Sequence, residues 1–264
     1  SVIGQLSEPE ANASRSFLDH YMEAFSKHPS KQRIPAVTFS GNHQWILKYL
    51  LLNGIDSKYW GASTFTGQWN SNTLKVQAGY NTAAQTHNVL VELEEAGYLV
   101  KAPGRIVFRD IRRLFESWIL AYRILKHVLM PLAPLYPGED FDLWREKKGG
   151  WWARFEQAAS KANVPILVGG HMGCLALGVG WSNNPSILLH ATIAHPPSLE
   201  LFLRTMELKE TDNKNSPIQL QLHRFQKPVL DVVELEEKPQ NRTVDIIQCV
   251  LDVSLLGGRG EEQA

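Results

Sequence analysis

Cysteine is nearly missing from this chain: Cys174 and Cys249 are the two residues of that type among 264. A single pair cannot build the disulfide framework that staples small secreted domains, so a reduced, cytoplasmic setting is the expectation. An excess of either charge is missing too. Lys+Arg and Asp+Glu each number 27, for a formal net charge of +0. That balance excludes a polybasic coat over the whole surface and an acidic tail that dominates the chain. Long apolar runs are absent: stretches such as Trp118–Leu120 and Val128–Leu132 fall far short of the roughly 20 residues a membrane span needs. No membrane partner is expected. No basic segment followed by an apolar one opens the chain, so secretion is not expected, and the start at Ser1 reads as a trimmed beginning. What is present is ordinary globular material, 44% hydrophobic and 20% charged, which excludes disorder over most of the length. A chain of 264 residues is long enough for one large domain or two modest ones, each with an apolar core.

Residues 1–40 read as a helical appendage and linker. Asn12 and Ser14 are placed to cap a helix with Phe17, Tyr21 and Phe25 at helical spacing, and a polar stretch broken by Pro29 and Pro35 follows. From residue 41 to 110 the pattern becomes three helices and a hairpin. The first helix, His43–Asn53, carries an apolar stripe of Trp45, Ile46, Tyr49 and Leu50. After a long loop at 55–70 comes a short helix, Asn72–Ala78. The third helix opens on Thr82-Ala-Ala-Gln85, a capping box in which the threonine hydroxyl and the glutamine amide each satisfy a free backbone donor. Val89, Leu90 and Leu93 form its apolar stripe, and Gly97 stops it. Tyr98–Lys101 and Arg105–Phe108 are β-prone runs around a Pro103–Gly104 tip.

From residue 111 to 264 an α/β body is expected. Its reading is a helix at Ile111–Met130, a loop at Pro131–Gly138, a helix at Trp152–Ala162, a strand at Val164–Val168 and a helix at His171–Val179. A strand at Ser186–Ala194, a helix at Ser198–Met206, strands at Ile218–His223 and Val229–Glu234, and an apolar segment at Val244–Val253 complete it. The fold class is therefore α+β (mixed α/β), with an N-terminal winged helix-turn-helix domain before a larger α/β domain.

Helix, helix, turn, helix and hairpin is the order of a winged helix-turn-helix, whose second motif helix enters the major groove of DNA while the wing touches flanking phosphates. With Thr86, Val89, Leu90 and Leu93 inward, the outward face near the start of the third helix is Ala84, Gln85, His87 and Asn88. Glutamine and asparagine pair bidentately with adenine, and a small alanine lets the backbone approach. Thr82 at the helix start and Lys101, Arg105 and Arg109 in and beside the wing complete the candidate DNA-contacting set. Charge is distributed in keeping with this. Between Lys101 and Lys126 seven bases face only Asp110 and Glu116, whereas from Asp231 to Glu262 acids outnumber bases. The residues 41–127 are thus expected to bind double-stranded DNA as a fragment. The alternative is a winged helix used only to dock proteins.

Several stretches resemble the AbiEi-type antitoxins of bacterial type IV toxin–antitoxin systems. Leu93-Glu-Glu-Ala-Gly-Tyr-Leu-Val100 and Ile106-Val-Phe-Arg-Asp-Ile-Arg-Arg-Leu-Phe-Glu-Ser-Trp118 look like that family's winged-helix part. Pro165-Ile-Leu-Val-Gly-Gly-His-Met-Gly-Cys-Leu-Ala176 is similar to its middle strand–glycine–helix element. Val244-Asp-Ile-Ile-Gln-Cys-Val-Leu-Asp-Val-Ser-Leu-Leu-Gly-Gly-Arg-Gly260, with the acids behind it, resembles its C-terminal signature, a Gln…Leu-Asp-Leu strand or helix before a Gly-Arg-Gly turn. The likeness covers about residues 42–264; the long loop at 55–70 and residues 1–40 depart from the pattern. It implies a transcriptional autorepressor bound to its own operator, which counters a toxin of nucleotidyltransferase type. A homodimer on an inverted-repeat operator is expected from winged-helix geometry.

Enzymatic readings fare less well. A nucleotidyltransferase needs Gly-Ser followed by paired carboxylates to hold divalent metal, and Gly180-Trp-Ser182 is followed through His195 by no acid at all. Gly169-Gly-His-Met-Gly173 lacks dinucleotide-turn spacing and reads as a tight strand-to-helix turn. His171, Cys174, His190 and His195 are of zinc-ligand type, but the odd separation along one strand puts His190 and His195 on opposite faces. Cys174 with His171 has no orienting carboxylate nearby for nucleophilic work. Trp151 and Trp152 beside Arg145, Lys147 and Lys148 suit base stacking or an aromatic patch under a loop. No catalytic residue, metal or cofactor is expected, with a transferase or hydrolase hidden in the C-terminal half as the remaining alternative.

Overall fold

A computed structural model describes residues 39, 42–52, 71–77, 83–102, 105–125, 127–136, 150–179, 185–192, 196–223 and 242–256. Readings that fall elsewhere lie outside the described residues: the helix after Asn12, the linker to Pro35, the loop 55–70, Thr82, the Pro103–Gly104 tip, the basic aromatic stretch before Gly149, Gly180–Ser182, His195, the strand at Val229–Glu234, and the Gly257–Gly260 turn.

In order, the described elements begin with α1 (Asn42–Leu52), α2 (Ser71–Gln77), α3 (Ala83–Glu95), β1 (Leu99–Ala102), β2 (Arg105–Phe108), α4 (Ile111–Ile124) and β3 (Leu129–Pro134). There follow α5 (Trp151–Ala162), β4 (Ile166–Gly169), α6 (Gly170–Ala176), β5 (Ile187–Thr192), α7 (Pro196–Thr205), β6 (Leu208–Glu210), β7 (Ile218–His223) and α8 (Ile246–Leu255). The chain is thus a mixture of helices and strands, as its periodicities indicate. β1 and β2 form a two-stranded antiparallel sheet with Leu99 opposite Phe108 and Ala102 opposite Arg105. The larger sheet has the order β4-β5-β7-β3-β6, with β3 antiparallel to both β7 and β6.

The segment after residue 110 departs from its reading. The helix expected to reach Met130 ends at Ile124, and Leu125 is already extended at ψ 138°. The supposed loop from Pro131 is instead strand β3. Pro131 bars Met130 from helical backbone, and its missing N–H argues against a strand interior, but nothing in the structure ties the earlier end at Ile124 to it. Pro131 lies within the β7 ladder, opposite Gln219, and is tolerated because its main chain faces β6 just past the end of the β6 ladder. Its carbonyl accepts from Thr211 N at 3.0 Å on the β6 side, where paired register stops at Leu132 opposite Glu210. The short strand β6 also went unread in the sequence.

The described chain divides into two compact units, neither of them continuous in sequence. One takes in His127–Ile166 and Ala191–Arg224. Its helices α5 and α7 pack face to face, with Phe155 edge-on to Phe202 at 5.7 Å between centroids. Trp151 is buried and stacks on Phe155, so the tryptophan pair at 151–152 opens a core helix rather than offering Trp151 to a nucleotide base.

The other unit takes in Arg33–Lys126, Leu167–His190 and Phe225–Ala264. Its core joins Trp45, Leu50 and Leu52 of α1, Leu90 and Leu93 of α3, and Leu114 and Trp118 of α4 to Ile247 and Leu251 of α8. Helix α4 is held at its start by Asp110, which accepts from Arg113 N at 2.9 Å, and buries Leu114, Trp118, Ala121 and Tyr122 at helical spacing. Helix α1 is not the amphipathic helix expected from its stripe: every residue from Gln44 to Leu52 is buried, Lys48 included. The residues 41–127 therefore lack part of their own core.

Candidate nucleic-acid interface

Helix α3 buries Thr86, Val89, Leu90 and Leu93, while Ala84, Gln85, His87 and Asn88 are exposed on its other side. Four candidate residues thus share one accessible polar face, produced by the 3.6-residue period acting on an otherwise ordinary sequence. The helix ends in a Schellman motif. Tyr98 N donates to Leu93 O at 3.0 Å and Gly97 N to Glu94 O at 2.9 Å, with Gly97 at φ +78°. That reversal sends the chain directly into β1.

Glu94 ties the end of α3 to the hairpin. Lys101 N donates to Glu94 Oε1 at 3.1 Å, and the Lys101 ammonium lies 3.3 Å from Glu94 Oε2. The backbone N–H of Lys101 leads in holding the Glu94 carboxyl below its ordinary range, with the ammonium adding to it. Lys101 is therefore half-buried and paired, although an exposed pair of this kind is weak enough to exchange for a phosphate. Arg109 is exposed, its N–H bound to Tyr98 O at 2.9 Å. Arg105 is placed by its main chain alone, opposite Ala102 in the strand pair that adjoins residues 103–104. On α4, Arg113 covers the Tyr98 ring at 5.6 Å and Arg112 pairs with Glu116 at 2.9 Å, so part of the basic excess near the wing is already engaged.

In the same unit lies a cluster of polar residues of which sequence reasoning singled out His190 alone. Lys48 Nζ donates to Asp245 Oδ2 and to Gln248 Oε1, each at 2.8 Å. Asp245 caps α8 with its other oxygen, accepting from Gln248 N at 2.9 Å. The Gln248 amide donates to Tyr122 Oη at 2.8 Å and to Asp252 Oδ1 at 2.7 Å. Asp252 Oδ2 accepts from Gly170 N at 3.3 Å and meets His190 Nε2 at 2.8 Å. All of these side chains are buried. The sequence signal was there: Asp245, Gln248 and Asp252 fall on one helical face of an otherwise apolar run, and Lys48 interrupts another. Two of the acids counted toward an acidic C-terminal region, Asp245 and Asp252, thus lie in the interior, bound to Lys48 and beside His190.

The glycine turn at 169–170 is filled from inside. A Cβ on Gly169 would sit 2.0 Å from Asp252 Oδ2 and 2.7 Å from His190 Nε2. The strand-to-helix turn expected there is present, and the Asp252 carboxylate accepts from Gly170 N within it. His190 faces Asp252, whereas His171 shares a hydrogen bond of 2.7 Å with Ser186 Oγ, and burial pushes the His171 pKa down. The zinc-type residues His171 and His190 therefore have separate partners. Among the described residues no group of three or more His, Cys, Asp or Glu is placed to hold a metal ion, and no helix is long and apolar enough to cross a membrane.

Comparison with family models, with curated proteins and with solved structures returns no match for this chain.

Proposed function

We propose that this chain is a cytoplasmic, DNA-binding transcriptional regulator of the antitoxin type, without catalytic activity of its own. It reads double-stranded operator DNA with a winged helix-turn-helix formed by α2, α3 and the β1–β2 wing. The observation that carries the reading is the exposed face of α3, where Gln85 and Asn88 stand beside small Ala84 opposite a fully buried stripe. Exposed glutamine and asparagine at the N-terminal half of such a helix are the side chains that pair with adenine in the major groove. Arg105 and Arg109 are assigned to flanking phosphates, with Lys101 joining them when it leaves Glu94. The antitoxin part rests on the sequence resemblance, and its partner is a nucleotidyltransferase-type toxin. A homodimer on an inverted-repeat operator completes the reading.

Fluorescence titration of the full chain against DNA from its own promoter and against random duplex tests it. Gln85→Ala or Asn88→Ala is expected to cost about 1–3 kcal/mol on the operator and little on random DNA. Arg105→Ala is expected to weaken both alike and to lower the salt slope by about 1. Equal affinity of wild type for all duplexes, or operator binding unchanged in the α3 variants, would overturn the assignment of α3 as reader. Absence of DNA binding at low salt would leave the protein-docking reading in its place.

A further inference from the structure

The chain's two cysteines meet in space. Cys174 lies on α6 and Cys249 on α8, two helices that pack against each other. Both belong to one small apolar cluster with Leu167, Val244 and Leu177. Their approach depends on a glycine: a Cβ on Gly173 would stand only 2.8 Å from Cys249 Sγ. Cys249 is wholly buried, whereas Cys174 is partly open to solvent. As a thiol, Cys249 points its S–H at Val244 O, 3.7 Å away.

We propose that Cys174 and Cys249 are a peroxide-responsive thiol pair that closes into an intramolecular disulfide between α6 and α8. The roles divide by access. A hydroperoxide reaches the partly open Cys174; its thiolate attacks the O–O bond, takes one oxygen to become a sulfenic acid, and releases hydroxide or alkoxide. Cys249 then attacks the Cys174 sulfur, the S–S bond forms, and the S–OH oxygen leaves as water with the Cys249 proton. One peroxide is reduced and two thiols are oxidised, with no further reactant. The electrostatics of the pair run the same way. The neighbouring Cys249 thiol lowers the Cys174 pKa, while burial raises that of Cys249. Cys249 is flanked on α8 by Gln248 and stands one turn from Asp252, so the cross-link would fasten to α6 the helix that carries the interior polar cluster.

The experiment treats reduced full-length protein with hydrogen peroxide, alkylates it under denaturing conditions and maps the peptides by mass spectrometry. Both thiols are expected to disappear together, with Cys174 and Cys249 joined within one chain and recovered by dithiothreitol. Cys249→Ser is expected to halt at a Cys174 sulfenic acid that dimedone traps, and Cys174→Ser to leave Cys249 free for alkylation. Disulfides between two chains, over-oxidation at Cys174 with Cys249 still free, or survival of both thiols under peroxide that oxidises glutathione in the same tube would each overturn the proposal. The wild-type map is decisive by itself if a variant fails to fold.

Discussion

Lys48 has no solvent to retreat to, because α1 is buried on every side around it. Its Nζ donates to Asp245 and to the Gln248 carbonyl, and Asp245 in turn is fixed by capping α8. Removing one member of such a pair strands the other charge in the interior, which is more costly than never having had the pair. Lys48→Met is therefore expected to lower unfolding stability by about 3–5 kcal/mol, measured as a fall in the urea midpoint. Adding Asp245→Asn should recover part of that loss by removing the stranded charge, and a double-mutant cycle should show non-additivity. Purely additive losses would mean that the two residues act separately. The pair was hidden in the sequence because charge spacing along a chain reports local partners, and these partners are 197 residues apart.

At the scale of elements, α3 was the most legible. Its buried stripe, its exposed face and its stop at Gly97 are all local consequences of period and of one glycine, and local rules need no knowledge of the rest of the chain. Gly97 sits at φ +78° with nothing near the place a Cβ would occupy, so its role is conformational and not one of space. Gly97→Ala is expected to cost roughly 1 kcal/mol in thermal or urea unfolding, with DNA affinity per folded molecule unchanged. A loss several times larger would mean that the turn also sets packing between α3 and β1. Strand β3 was illegible for the opposite reason. Pro131 and Pro134 speak against a strand locally, and only the end of the β6 ladder, a tertiary fact, makes Pro131 harmless. Helix α8 lay between these cases: its apolar run was visible, but its polar face made sense only once Tyr122, His190 and Lys48 were seen around it.

At the scale of the molecule, the mixture of α and β was readable from periodicity, whereas the packing of α8 into the core of α1, α3 and α4 was not. Composition and punctuation suggest cuts at loops, but α8 supplies Ile247 and Leu251 to the core of α1, α3 and α4, and Asp245 to Lys48. A fragment of residues 41–127 would expose that apolar surface and leave the lysine without its counter-ion. It is expected to be poorly folded, with broad amide resonances and non-cooperative unfolding, and to bind DNA weakly if at all. The expectation from sequence was the reverse. A 41–127 fragment that unfolds cooperatively, with a midpoint near that of the full chain, would show that α8 is dispensable for this core.

The separation of Lys48 from Asp245 also sets a clock on biosynthesis. Translation moves at roughly 5–20 residues per second, so the 197 residues between them take on the order of 10–40 s to make. Throughout that interval the nascent chain carries α1, apolar from Trp45 to Leu52 but for Lys48, before α8 completes its cover. Helices and hairpin can form early, since their rules are local, but the unit they belong to cannot close until α8 leaves the ribosome. For that whole interval the core of α1, α3 and α4 stands without Ile247 and Leu251, and Lys48 without its carboxylate.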